Sequence, residues 1–271
     1  MLCGSWSFCM LATRMIATSL VAMSALCGPV VTVSADGAET ERLVQSTTES
    51  RTYVHFKVSN DVVQKMLPAG WVSTPGSGSL KDANLIVLLV EGLAADGADG
   101  KAVLNQGKFV LWAIPAKNEQ TGGGAIMIIG GLTSQPQAAP GAYAVYAPAK
   151  ISMAKSARSE GPNVTTSEEN WHATNDAGDQ LRFAVTYERG IGTRGHVEPR
   201  VHSVTKPDFY RVYKADQVTD VVHSVVPDMR RAKAVEFNAS GPNLSKIFDG
   251  KEQLVAVTSI PAYYRQIFLP L

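Results

Sequence analysis

The feature of this sequence that most constrains its fold is a succession of short apolar runs, separated by turn residues about every ten positions. In Arg51–Val58, the residues Tyr53, His55 and Lys57 alternate with apolar ones, as the two faces of a strand require. Asn84–Val90 is almost continuously apolar, which is typical of a strand covered on both faces. Such runs favour an antiparallel barrel or sandwich with a few helices.

The same criteria predict roughly nine strands in all. Asn175–Gly178 is a hairpin turn signal between two of them. The other predicted strands are Lys108–Pro115, Ala125–Leu132, Asn170–Thr174, Gln180–Glu188, Phe209–Tyr213, Ala234–Asn238, Gln253–Ser259 and, as one more candidate, Tyr263–Leu269.

Two segments have helical spacing instead. A short helix begins at Ser59 or Asn60 and ends before Pro68, because proline disfavours helix at the residue that precedes it. Ala215–Val226 is predicted to be a helix because four valines fall on one side of it, at positions 218, 221, 222 and 225.

The N-terminal residues 1–35 have the order of a signal peptide. Arg14 precedes the apolar run Met15–Leu26, and the small-residue site Val33–Ala35 follows. All three cysteines, Cys3, Cys9 and Cys27, lie in this segment, so the mature chain has no disulfide and no thiolate nucleophile. We therefore expect an exported protein, periplasmic or extracellular.

The boundaries that follow are a signal peptide over 1–35, a flexible lead-in over 36–50 and a single β-rich domain over 51–271. A membrane anchor is the alternative for the first segment. Pro29 and the polar change at Asp36 disfavour it, because a spanning helix needs ~20 uninterrupted apolar residues.

Charge and motifs exclude several classes of partner. Without the signal peptide the chain carries 24 basic and 24 acidic residues, since Arg14 is the only charge before Asp36. Nucleic-acid binders show a clustered basic excess, whereas the longest basic cluster here is Arg230–Lys233. We expect no nucleic-acid partner, no membrane contact beyond the signal peptide and no cofactor; a homo-oligomer is left open.

Motifs of common enzymes are absent or incomplete. The sequence has no G-x-S-x-G, no H-E-x-x-H and no P-loop. Gly190–Gly195 matches G-x-G-x-x-G, but no helical pattern follows and Pro199 is close behind. A dinucleotide site needs that helix for the pyrophosphate, so a loop is predicted.

One polar stretch is a candidate metal site. If the stretch is extended, His196, Glu198, Arg200 and His202 point the same way. His196, Glu198 and His202 then match a two-histidine, one-carboxylate metal site. The alternative is an exposed polar edge in which Arg200 neutralises Glu198, and our principal prediction includes no metal.

Aromatic residues are candidates for the lining of a binding cavity. Trp112, Tyr143 and Tyr146 are predicted to contact a ligand there, with plain core packing as the alternative.

Four segments, taken in order, resemble the acetoacetate decarboxylase family. Val63–Trp71 contains a helix ending in a leucine-proline step, and Asn84–Val90 closes on the acid Glu91. Tyr146–Ala154 is similar to the family's Gly-Phe-Pro-Lys-Lys-Leu-Ala stretch, and Ser240–Leu269 completes the series. The resemblance implies a mainly β (α+β) fold with a closed or nearly closed antiparallel barrel, a few short peripheral helices and an apolar cavity. It also implies a lysine that forms a Schiff base with a keto acid.

The sequence departs from the family at the residues that matter most. Ala149 stands at the position of the nucleophilic lysine, and Lys150 at that of its neighbour. Glu91 matches a buried carboxylate, Gln106 stands near the place of a second acid, and Lys57 near that of an early arginine. An alanine cannot form an imine, so Schiff-base chemistry is not expected at position 149.

Three functions follow as hypotheses. The favoured one is an exported protein that binds a small apolar carboxylate, ketone or lipid in an internal cavity without Schiff-base decarboxylation, with Lys57, Gln106, Trp112, Tyr143 and Tyr146 as ligand contacts. The first alternative is a carbon-carbon lyase that acts on a keto acid with Lys150 and Glu91. The second is a metal-dependent enzyme that uses His196, Glu198 and His202.

Overall fold

The computed structural model of the protein describes residues 41–103, 107–139, 143–161 and 164–271. The predicted signal peptide, residues 1–35, lies outside the described residues. None of the helices in the described ranges is long and apolar enough to cross a lipid bilayer.

The described chain is built almost entirely of strands. The helix α1 (Asn60–Met66) and short 3₁₀ turns at Gly78–Leu80, Pro136–Ala138 and Leu244–Lys246 connect them. The strands are β1 (Glu41–Lys57), β2 (Trp71–Ser73), β3 (Leu85–Gly97), β4 (Lys108–Asn118), β5 (Gly124–Thr133), β6 (Tyr146–Pro148), β7 (Lys150–Glu160), β8 (Val164–Thr174), β9 (Gln180–Glu188), β10 (Thr193–Val197), β11 (Arg200–Ser203), β12 (Lys206–Val225), β13 (Asp228–Arg230), β14 (Ala232–Ser240) and β15 (Gln253–Pro270).

Seven of these strands close into a barrel. Around the ring the order is β4, β3, β1, β15, β12, β11 and β5, and β5 pairs with β4 to complete it. Six of the seven junctions are antiparallel, and the junction of β11 with β5 is parallel. That parallel junction is short, with three residue pairs from Val201↔Ile126 to Ser203↔Ile128. The predicted closed, mainly β fold is confirmed.

A second sheet covers one side of the barrel. Its strand order is β14, β9, β8, β7, and all of its neighbours are antiparallel. Its inner face packs against the outer face of the barrel to form the largest apolar core. Val54 and Phe56 of β1 contribute from the barrel, and Trp171 and Phe183 contribute from the second sheet. Since side chains alternate along a strand, this packing leaves the other face of β1 to the barrel interior.

The segment predicted as a flexible lead-in is ordered from Glu41 onward. It is the first part of β1, and it pairs with β15 from Glu41↔Pro270 and with β3 from Gln45↔Gly97. Partners on both edges satisfy the backbone N–H and C=O groups of this polar stretch. The polar composition alone did not reveal that the stretch forms a strand.

The predicted helix over Ala215–Val226 is wrong. Residues 215–225 belong to β12, which pairs with β15 along one edge and with β11, β10 and β13 in turn along the other. Valines are β-branched and suit a pleated surface, and the backbone partners on both edges override the helical spacing.

Candidate functional site

The barrel interior holds a cavity of about 770 Å³. Each of the seven ring strands contributes side chains to its wall. One part of the wall is aliphatic, and it is formed by residues that include Ile86, Leu88, Leu111, Ile126, Ile128 and Ile267. The volume lies within the range of small-molecule binding sites, which are mostly apolar with a few placed polar groups.

The polar part of the wall begins on β1. Thr47, Glu49, Arg51 and Tyr53 lie at alternating positions and all line the cavity. The strand period of two places them on one face, while Thr52 and Val54 lie on the other face and point to the second sheet. The sequence shows this alternation, but the predicted boundary at residue 50 places Thr47 and Glu49 in the flexible lead-in.

Glu49 is the centre of a buried ion-pair cluster. Its Oε2 accepts a hydrogen bond from Arg51 Nε at 2.7 Å, and its Oε1 accepts one from Arg265 Nη2 at 2.6 Å. Thr47 Oγ1 donates to the same Oε1 at 2.9 Å. Burial acts to raise the pKa of Glu49, but Arg265 and Arg51 outweigh it, so that the pKa is lowered and the carboxylate stays ionised.

Tyrosines hold the two guanidinium groups of this cluster in place. Arg51 Cζ lies 3.5 Å from the ring centroid of Tyr263, and Arg51 Nη1 donates to Tyr53 Oη at 2.7 Å. Arg265 Cζ lies 4.3 Å from the ring centroid of Tyr213. Burial raises the pKa of Tyr53 to about 12, so its hydroxyl remains protonated at neutral pH.

Arg211 is a third cation in the cavity wall, and its surroundings differ. Its Cζ lies 5.4 Å from the ring centroid of Tyr143. Its Nε is buried and has no hydrogen-bond partner in the described part of the chain, and no described carboxylate lies within ion-pair distance of it. A buried, unpaired donor of this kind is costly unless a ligand or water satisfies it.

Of the predicted ligand contacts, Tyr146 lines the cavity. Its ring meets Phe109 edge to face, and within the described residues its hydroxyl makes no hydrogen bond. Burial raises the pKa of Tyr146 strongly, with a further rise from Tyr213, against the lowering effect of Arg265, Arg211 and Arg51. The hydroxyl is therefore a hydrogen-bond donor close to three positive charges.

Tyr143 and Trp112 are buried outside the cavity lining. Tyr143 is fully buried, donates from its hydroxyl to the Val201 carbonyl at 3.0 Å, and lies 3.3 Å from the hydroxyl of Tyr213. Trp112 belongs to the core between the barrel and the second sheet, because its position on β4 has the opposite parity to Phe109 and Leu111, which line the cavity.

Glu91 and Lys150, the predicted catalytic pair, lie outside the cavity lining and apart from each other. Glu91 follows the cavity residue Val90 and points to the second sheet, where its Oε2 lies 3.7 Å from Lys155 Nζ. Lys150 is exposed, and its strand position alternates with the core-facing Ala149. Lys150 and Lys155 are five residues apart on β7, which corresponds to roughly 17 Å.

The remaining predicted contacts also lie elsewhere. Lys57 is exposed and forms an ion pair with Asp82 at 3.3 Å. Gln106 lies outside the described residues. Every lysine of the sequence falls within the described ranges, and none of them lines the cavity. An arginine early in the chain does line it, but at position 51 rather than at the site of Lys57.

Only two of the three residues of the candidate metal site, His196 and Glu198, are in contact, and His202 lies apart from them. His196 is exposed and bonds Glu198 at 2.9 Å and Asp216 at 3.0 Å, which raises its pKa. His202 lies on β11, where its Nδ1 is 2.7 Å from the Pro207 carbonyl and its ring stacks on Tyr210. Across the described residues, no three His, Cys, Asp or Glu side chains group closely enough to hold a metal ion.

Comparison with known proteins places the fold of this chain in one structural class, the acetoacetate decarboxylase-like fold. No protein-family model and no curated protein sequence matches the chain. The enduracididine biosynthesis enzyme MppR complexed with pyruvate is similar, with a TM-score of 0.53 and 10% identity over 87% of this chain and 91% of its own.

Two further solved structures share the fold. An acetoacetate decarboxylase-like enzyme from Sphingomonas wittichii RW1 matches with a TM-score of 0.51 and 11% identity over 89% of this chain and 98% of its own. Acetoacetate decarboxylase from Legionella pneumophila matches with a TM-score of 0.50 and 9% identity over 96% of both chains. Identities this low establish the fold and not the chemistry.

Proposed function

We propose that this is an exported protein that binds a small apolar carboxylate, ketone or lipid in its barrel cavity and does not form a Schiff base with it. The observation that carries the proposal is a cavity of about 770 Å³ lined by aliphatic side chains and arginines, with no lysine among its lining residues. The complex of the similar protein MppR with pyruvate supports a small carboxylate as ligand.

The charge of the cavity wall supports an anionic ligand. Arg51, Arg211 and Arg265 carry three positive charges, and Glu49 is the single buried carboxylate beside them. Glu198 also lines the cavity, but its side chain is half exposed and bonded to His196. Buried charge without a counter-charge is unfavourable, so an anion that enters the cavity is favoured.

The positions of the lysine amines support the proposed absence of Schiff-base chemistry. An imine forms from the neutral amine of a lysine held at the ligand. Lys150 is exposed on β7, and Lys155 is engaged with Glu91, Glu169 and the ring of Trp171 between the barrel and the second sheet. Neither amine lines the cavity.

Borohydride trapping tests this part of the proposal. The purified mature protein is treated with sodium borohydride and acetoacetate or pyruvate, and its intact mass is measured beside an imine-forming aldolase as positive control. We expect the mass to stay unchanged. A stable adduct mapped to Lys150 would instead support the lyase alternative.

Ligand binding is tested by thermal unfolding with a panel of carboxylates, ketones and fatty acids. A ligand at 100 times its dissociation constant stabilises a protein by about 2.7 kcal/mol. For a chain of this size we expect the Tm to rise by roughly 5–10 °C. If no member of the panel raises the Tm, the binding proposal is wrong.

Export is tested by expression with the complete N-terminus and fractionation of the cells. We expect the protein outside the cytoplasm with Asp36 as its first residue, as the site at Val33–Ala35 predicts. Retention in the cytoplasm with an uncleaved N-terminus would contradict it.

A further inference from the structure

The cavity wall contains two kinds of arginine. Arg51 uses its Nε and Nη2 on Glu49 and its Nη1 on Tyr53, and Arg265 uses its Nε on Thr47 and its Nη2 on Glu49. The positive charges of Arg51 and Arg265 are both paired with the carboxylate of Glu49. Arg211 has no such partner among the described residues, and its buried Nε donates to nothing there.

Tyr146 provides a second unused donor near this arginine. Tyr146 lines the cavity, and its hydroxyl makes no hydrogen bond to any described residue. The charge of Arg211 acts on this hydroxyl, together with the charges of Arg265 and Arg51. One donor on β12 and one on β6 therefore face the same space.

We infer that Arg211 and Tyr146 together hold the carboxylate of the ligand, whose aliphatic body lies against Leu111, Ile126 and Ile128. This inference rests on the proposed function and narrows it to a carboxylic acid rather than a neutral ketone. A planar guanidinium matches the geometry of a carboxylate, and charge-assisted hydrogen bonds are the stronger ones.

The physical argument is the state of Arg211 with and without that ligand. An unpaired guanidinium next to an aliphatic wall is unfavourable, and a neutral ketone would leave its charge uncompensated. A carboxylate supplies both the counter-charge and acceptors for the Nε and the tyrosine hydroxyl. Glu49 cannot serve this purpose, because both of its oxygens are bonded within the cluster already described.

The experiment compares matched acids and amides. Binding of octanoate and of octanamide, with butanoate and dodecanoate as length controls, is measured by calorimetry for the wild type, Arg211→Gln and Tyr146→Phe. Arg200→Gln is the matched control, because Arg200 also lies near a tyrosine ring but does not line the cavity.

We expect the wild type to prefer the acid over the amide. Arg211→Gln should weaken octanoate binding by ~10- to 100-fold, which is the range for loss of a hydrogen bond to a charged group. Octanamide binding should change little, and Arg200→Gln should leave both unchanged. Tyr146→Phe should weaken the acid by a smaller factor.

Each failure has a distinct meaning. If the wild type binds the acid and Arg211→Gln binds it equally well, or if the wild type prefers the amide, the carboxylate assignment is overturned while cavity binding stands. If the wild type binds none of these compounds or the wider panel, the proposed function itself fails. Should Arg211→Gln not fold, Arg211→Lys replaces it, with the acid preference retained and the affinity reduced as the expected result.

Discussion

Glu49 joins the charged residues of two strands in the cavity wall. Its side chain is buried, and it accepts hydrogen bonds from Thr47, Arg51 and Arg265, which lie on two neighbouring strands. These contacts fix the two arginines at the cavity wall. A buried ion pair with one partner removed is strongly destabilising, because the remaining charge has no compensation.

We expect Glu49→Gln to lower the free energy of unfolding by about 3–5 kcal/mol. The amide keeps the shape of the side chain but leaves two buried guanidinium groups without a counter-charge. Urea denaturation followed by circular dichroism measures the change. Glu160→Gln is the control, because its ion pair with Arg158 is exposed and should cost less than about 1 kcal/mol.

The candidate site was only partly predictable at the scale of residues. Tyr146 was placed in a cavity lining from its aromatic character, and it does line the cavity. Arg211 and Arg265 were not singled out, because an arginine in an alternating strand usually faces solvent. The closure of the ring is what turns the faces of β12 and β15 that carry these arginines toward the cavity.

At the scale of elements, the contact of β4 with β5 shows how a single glycine sets the packing. The register shifts between Trp112 and Ala113, which pair with Gly130 and Ile128, so Ile129 is an extra residue in β5. A Cβ at Gly130 would lie 2.4 Å from Trp112 Nε1. The indole therefore occupies the space that any larger residue at 130 would need.

We expect Gly130→Ala to destabilise the protein by about 1–3 kcal/mol, as overpacking in a core does. Thermal unfolding measures the effect. Gly124→Ala is the control on the same strand, since a Cβ at Gly124 would meet nothing within 4 Å. Equal stability of the two variants would show that the indole moves aside without cost.

The elements that sequence patterns predicted well are those with a clear period. Gln180–Glu188 was predicted with its observed bounds, and the helix after Ser59 is present. The predictions failed at β12 and at the first half of β1, where polar or valine-rich stretches become strands because partners on both edges supply their hydrogen bonds. Such partners are distant in sequence and cannot be read from local spacing.

For the whole molecule, a buried histidine contributes to the pH dependence of stability. His55 is buried beside Tyr53, and burial lowers its pKa to about 4. The unfolded chain binds a proton at this residue near pH 6.5, whereas the folded protein does not. The contribution of neutral His55 to the free energy of unfolding is therefore fully present above pH 6.5. It is lost as the pH falls from about 6.5 to about 4.

We expect the free energy of unfolding to fall by up to roughly 3 kcal/mol over that range because of His55. His55→Phe should flatten the decline, whereas His196→Gln should not, because His196 is exposed and its pKa is raised. Urea denaturation at a series of pH values measures both slopes. Below about pH 4.5 a further loss is expected from Glu49, whose pKa is lowered, and Glu49→Gln should not show it.

The odd number of strands in the closed ring determines how neighbouring strands pair. A ring in which every neighbour is antiparallel needs an even number of strands, so seven strands force at least one parallel neighbour. Here that seam is β5–β11, which holds three residue pairs, and parallel pairing is slightly weaker per residue. Among the strand pairs of the ring, native-state amide exchange should therefore be fastest at the β5–β11 junction. Local opening of the barrel wall should begin there.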